Sequence, residues 1–142
     1  MKNVKLFAIF LVVIFSATGC GDDSINNSSN SSAPAPSSLA GKSYRLTINT
    51  GTGGFATTGT STVAFSNTED TYKVLGDGVN SFNSSGSYTY TANGSQGNVA
   101  IVDSAILNGS FILTYTSSTT GTYQALAELD PDASQTASFI EL

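Results

Sequence analysis

The side chains able to do chemistry are few and sharply restricted in type. The 142 residues include no histidine, no tryptophan and a single cysteine, Cys20. Imidazole acid–base pairs, Ser-His-Asp triads, zinc sites built on histidine and internal disulfides are therefore excluded for this chain. Catalysis would have to come from Ser, Thr, Tyr, Lys and carboxyl groups. Lys42 and Ser43 are adjacent, but neighbours on an extended segment point to opposite faces, so they do not make a Ser–Lys pair. Glu128, Asp130 and Asp132 cluster around Pro131. Such oxygen-rich groups serve calcium binding or glycoside hydrolysis. Asp and Pro also favour turns for their own conformational reasons, and the spacing lacks the glycine and terminal Glu of a calcium loop, so a turn is expected. Glu69, Asp70 and Asp77 have no second acid at a useful spacing. Asp103 differs, because the alternation through Val99 and Ile101 aims it inward, where it would orient a ligand or bond backbone amides at a strand end. No catalytic residue, cofactor site or metal site is expected, and the chain reads as a non-enzyme.

The cysteine has a different chemistry, set by what precedes it. Lys2 and Lys5 stand before an unbroken apolar run, Leu6 to Phe15, which gives way to small residues ahead of Cys20. This is the layout of a secretory signal peptide. As a helix the run would cover roughly 15 Å, about half a bilayer's hydrocarbon core, which is short for a resident span. Polar residues at helical spacing, the mark of a buried core helix, are missing. The residues Ala17-Thr18-Gly19-Cys20 resemble the lipobox of bacterial lipoproteins, with Ala17 where that family most often has Leu. The resemblance implies cleavage after Gly19, a thioether-linked diacylglycerol on Cys20, and localisation in the bacterial cell envelope, at the outer membrane or cell surface. Two or more acyl chains give stable anchoring where one does not.

Cleavage at that point removes residues 1–19, with two lysines and no acid. It leaves Lys42, Arg45 and Lys73 against ten acids, a formal charge of −7. Such a chain does not bind nucleic acid, which needs a basic stripe to release counterions. Anionic headgroups repel it as well, so the membrane would be held through lipid alone. Residues 20–38 continue as the lipidated cysteine and GDDSINNSSNSSAPAPSS, small and polar, with Ile25 the one large apolar side chain. This segment is expected to be a disordered tether, roughly 25 Å end to end as a flexible coil.

From Leu39 to Leu142 short runs alternate apolar with polar residues, the period of strands. One face gathers Tyr44, Leu46 and Ile48; then Val63 and Phe65; Tyr72 and Val74; Tyr88 and Tyr90; Val99 and Ile101; Phe111, Leu113 and Tyr115; Tyr123, Ala125 and Ala127; and finally Ala137 and Phe139. Asn93-Gly94 and Asn108-Gly109 are expected to turn between the fourth, fifth and sixth runs, and Asp77-Gly78 follows the third. The expectation is an all-β domain, an eight-stranded antiparallel meander closed into a small barrel, with a β-sandwich as the alternative. Gly86-Ser87-Tyr88, Gly109-Ser110-Phe111 and Gly121-Thr122-Tyr123 repeat a glycine two residues before an aromatic. The expected role is packing, the glycine relieving crowding at a bend while the ring faces the core.

With Leu39-Ala40-Gly41-Lys42-Ser43-Tyr44 opening the first strand, this meander resembles small calycin-type barrels, the lipocalin-like and MoaF-like group. An eight-stranded barrel is just wide enough for its own side chains or one small ligand. Three readings follow. The leading one is a membrane-anchored envelope lipoprotein whose β domain contacts a protein, a glycan or another envelope component. The second is a carrier of a small apolar ligand lined by Tyr44, Leu46, Tyr88, Tyr90, Asp103, Phe111, Leu113 and Tyr123. The third is a polysaccharide hydrolase, which would need two carboxyl groups roughly 5 to 10 Å apart in a cleft.

Overall fold

The computed structural model describes residues 32–77, 83–104 and 107–142. The leader 1–19, Cys20 and the first part of the tether lie outside the described residues, as does Gly78. Eight strands follow in order: β1 Ser43–Gly51, β2 Gly59–Phe65, β3 Thr71–Asp77, β4 Ser84–Asn93, β5 Gln96–Asp103, β6 Leu107–Tyr115, β7 Thr120–Ala127 and β8 Ser134–Glu141. Each pairs antiparallel with its sequence neighbour, and β1 also pairs with β8, so the meander is a closed barrel rather than a sandwich. Closure satisfies the backbone groups that two free edges would leave exposed.

The inward faces are those that the period-two alternation selects. Along β5 exposed and buried positions alternate without a break, with Gly97, Val99, Ile101 and Asp103 inside. The core is aromatic: Phe65 packs edge-on to Tyr88 at 4.9 Å between ring centroids, and Phe139 lies between Tyr115 at 5.0 Å and Tyr44 at 5.4 Å. Each such pair adds about 0.5–1.5 kcal/mol to what burial of its area contributes. Two strand glycines, Gly121 of the glycine–aromatic echo and Gly97 outside it, have a packing role across strands. A Cβ on Gly121 would lie 2.6 Å from Cζ of Phe139, and one on Gly97 would lie 2.6 Å from Tyr90. Bare backbone on one strand thus makes room for a ring from the next.

Two expectations need correction. Asn108 and Gly109 form no turn; they are strand residues, paired with Val102 and Ile101. Facing residues of an antiparallel pair share a side of the sheet. A two-residue turn at 108–109 would set the inward odd-numbered positions of β5 against even-numbered ones of β6, driving Phe111, Leu113 and Tyr115 outward. The observed pairing, Asp103 with Leu107, keeps all three inside. The fourth and fifth runs do turn where expected, on Gly94 at φ +58°.

The second correction concerns the tether, whose last part is not free chain. The amide of Ala35 donates to the Gly94 carbonyl at 2.9 Å, the Tyr90 hydroxyl donates to the Pro36 carbonyl at 2.7 Å, and Ala33 and Ala35 pack against the core. Ala33 to Pro36 therefore form a strap laid against the barrel. The Ala-Pro steps explain it: proline fixes an extended backbone in advance, so laying these residues on the barrel loses little entropy.

The strap defines one end of the barrel. That strap end carries the β2–β3, β4–β5 and β6–β7 connections and the C-terminus. The other, the plug end, carries the β1–β2 and β7–β8 connections and the ends of β3 and β5.

Candidate functional site

The interior closes at the strap end and leaves a space toward the plug end. At the strap end Tyr44 and Tyr115 are fully buried and share a hydroxyl–hydroxyl bond of 2.9 Å, with Leu39 sealed beside them. Burial, ahead of the bond between them, pushes the Tyr44 hydroxyl far above the usual phenol range, and burial raises Tyr115 too. Tyr90, half-buried under the strap, is pushed up to about 12, again by burial first.

At the plug end the β1–β2 connection folds inward. Phe55 is its one large apolar residue among Gly and Thr, and Phe55 and Ala56 are both buried. Three contacts fix them. The Thr52 hydroxyl donates to the Asp132 carbonyl at 2.6 Å, the Thr52 amide donates to Ser134 at 2.8 Å, and the buried Gln135 amide donates to the Ala56 carbonyl at 2.9 Å.

Between this plug and the aromatic core lies a cavity of about 50 Å³, walled by Leu46, Phe55, Val63, Phe111 and Tyr123 with Asp103 and Tyr72 among its polar groups. Asp103 is buried at the end of β5 and accepts a short hydrogen bond from the Tyr72 hydroxyl. The register explains the meeting. Tyr72 on β3, Gly86 on β4 and Asp103 on β5 occupy one row on the inner face, and the central residue has no side chain. The phenol can therefore cross a strand to reach the carboxyl group. A Cβ at Gly86 would overlap the Val102 carbonyl. Burial, then the bond to Asp103, raises the Tyr72 hydroxyl far above its ordinary value. Burial, then the charge of Asp103, does the same to Tyr123. Both phenols stay neutral near neutral pH, able to donate hydrogen bonds but not to act as bases.

Of the eight residues expected to line a ligand space, Leu46, Asp103, Phe111 and Tyr123 face this cavity, while Tyr44, Tyr88, Tyr90 and Leu113 are not among its walls. Tyr44 and Tyr90 instead seal the strap end. The sequence reading missed Phe55, Ala56 and Gln135. The isolated Phe55 in a Gly/Thr loop was the one available signal for the plug. The acidic cluster is a turn: Asp130 Oδ1 accepts the Asp132 amide at 3.1 Å, and the Ala133 amide donates to the Asp130 carbonyl. Lys42 pairs with Glu141 at 2.6 Å, not with Ser43. Among the described residues no three acidic, His or Cys side chains gather as metal ligands would.

Comparison with protein-family models, with curated proteins and with solved structures finds no match to this chain.

Proposed function

We propose that the protein is a lipid-anchored component of the bacterial envelope, attached through acyl chains on Cys20, whose barrel is a non-catalytic contact module. The observation that carries this reading is where the chain enters the domain. The residues after the stalk are bonded to the β4–β5 hairpin at the strap end, so a stalk rising from Cys20 meets the barrel there and the plug end is turned outward.

The small size of the interior cavity supports contact over transport. A cavity of about 50 Å³ is well below the roughly 300–1,000 Å³ of ordinary small-molecule sites. The hydrolase reading asks for two carboxyl groups facing one cleft, and Asp103 is the one acid among the described cavity walls.

The test is the mass of the chain purified from membranes, together with a Cys20→Ser variant. The expected mass is that of a polypeptide beginning at Cys20 with two or three acyl chains, and the variant is expected to lose them and leave the membrane fraction. A chain still beginning at Met1, with an unmodified thiol, would overturn the anchor.

A further inference from the structure

The two ends of the barrel differ in charge as well as packing. Lys42 precedes β1, and Arg45 and Lys73 are the third residues of β1 and β3, so all three described cations belong to the strap end. There they face three acids, Glu69, Asp70 and Glu141. At the plug end stand Asp77, Asp103, Glu128, Asp130 and Asp132, with no Lys or Arg among the described residues. The net formal charge of the described domain is therefore concentrated at the end away from the strap.

The same end carries an aliphatic groove on its outer wall. Ala100, Ser110 and Leu126 pair in one row across β5, β6 and β7. Val102 stands two residues beyond Ala100, and the Glu128 amide donates to the carbonyl of its partner Asn108. The small residues form the floor of a groove of about 290 Å³ against Leu126, Ala127 and Glu128. Val102 and Leu126, 60% and 41% exposed, stand on strands two spacings apart, about 9.5 Å across the sheet, and in rows two residues apart along it. That gap accepts one extended chain or the side chains of one helix face. Leu129, 70% exposed, follows Glu128 in the β7–β8 connection. Single exposed aliphatic residues are ordinary on a surface, whereas several around a groove mark a contact.

We infer that this groove docks a basic, aliphatic-rich segment of a partner protein. Apolar side chains fill the groove beside Leu126 and reach Val102 on the same face, while Lys or Arg side chains meet Glu128, Asp130 and Asp132. The inference rests on the contact-module reading, and it commits to the sign of the partner's charge because Glu128 lines the groove, Asp130 and Asp132 follow it in the β7–β8 connection, and no described Lys or Arg belongs to that end. Surrounding charges of this kind act mainly on encounter rate and on rejection of acidic competitors.

The test titrates the intact purified chain with a synthetic peptide of alternating Lys and Val, beside two controls of equal length, one alternating Lys and Ser and one alternating Glu and Val. The Lys/Val peptide is expected to bind and to shift the backbone amide resonances of Ala100, Val102, Ser110 and Leu126. Replacing Val102→Ser and Leu126→Ser together is expected to weaken it about tenfold, and Ile140→Ser at the strap end to leave it unchanged. Both replaced side chains lie on the outer face of the barrel and outside its core, so folding should be retained, and the resonance map of the unaltered chain locates the site independently. Absence of binding, equal binding of Lys/Ser or Glu/Val peptide, or indifference to the double replacement would overturn the inference. An unacylated Cys20 with the groove still binding would instead remove the anchor and leave the groove standing.

Discussion

The strap end and the plug end are made from the same meander, yet they solve opposite problems. Inside the strap end the buried polar groups are neutral: Tyr44 bonds Tyr115, Tyr90 bonds the Pro36 carbonyl, and Phe139 fills the space between rings. At the plug end a carboxyl group is buried beside a phenol, a loop is pinned as a stopper, and a cavity remains. The contrast shows that burying a carboxyl group and leaving space unfilled, both destabilising by themselves, are confined to one end while the other supplies cohesion.

The largest expected effect tests that division directly. Phe139→Ala removes a ring shared by Tyr44, Tyr115 and Gly121, and urea unfolding should show a loss of about 3–5 kcal/mol. Phe55→Ala opens the plug beside a cavity that can partly collapse, so about 1–3 kcal/mol is expected. Equal losses would break the comparison.

Next come the two buried hydroxyls. Tyr72→Phe leaves Asp103 without that donor, and a hydrogen bond to a charged group contributes about 1.5–3 kcal/mol. Tyr44→Phe removes a neutral pair bond worth about 0.5–1.5 kcal/mol. A larger loss at Tyr44 would place the greater polar contribution at the strap end.

The smallest effect appears at the alkaline edge. The tyrosines at both ends are raised above the ordinary phenol value of 10.0 by burial, so the folded state holds its protons more tightly than the unfolded chain. The associated stability is complete below pH 10 and declines as pH rises above it. Chemical unfolding followed just above pH 10 should show the decline, shallower in Tyr44→Phe and Tyr72→Phe. A midpoint that does not move in that range would contradict the buried-phenol account.

Much of the interior was legible before any coordinates. Alternation assigned Tyr44, Leu46, Phe65, Val99, Phe111 and Phe139 to the inner face, and it carried Asp103 inward as well, because a strand's side-chain period is independent of what the residues do. The turns were less legible. Asn-Gly marks a conformation the backbone can adopt, and at 108–109 the cross-strand parity required to keep Phe111 inside outweighed it. The candidate site was half legible. Asp103 could be read from the run it ends, but its phenol partner could not, since Tyr72 lies 31 residues earlier and meets it across a bare glycine. The strap and the plug were hidden for a related reason. Ala33 to Pro36 and Phe55 have no periodicity of their own, and their burial depends on surfaces assembled from other strands.

By itself, then, the sequence determined the elements and their faces, through a local two-residue period and conformational preferences that act over a few bonds. Tertiary structure alone decided between the expected barrel and the sandwich, that one end would be sealed by the chain's own approach, and that acids distant in sequence would gather at the other. These outcomes depend on register and closure, which bring together residues that no local preference relates.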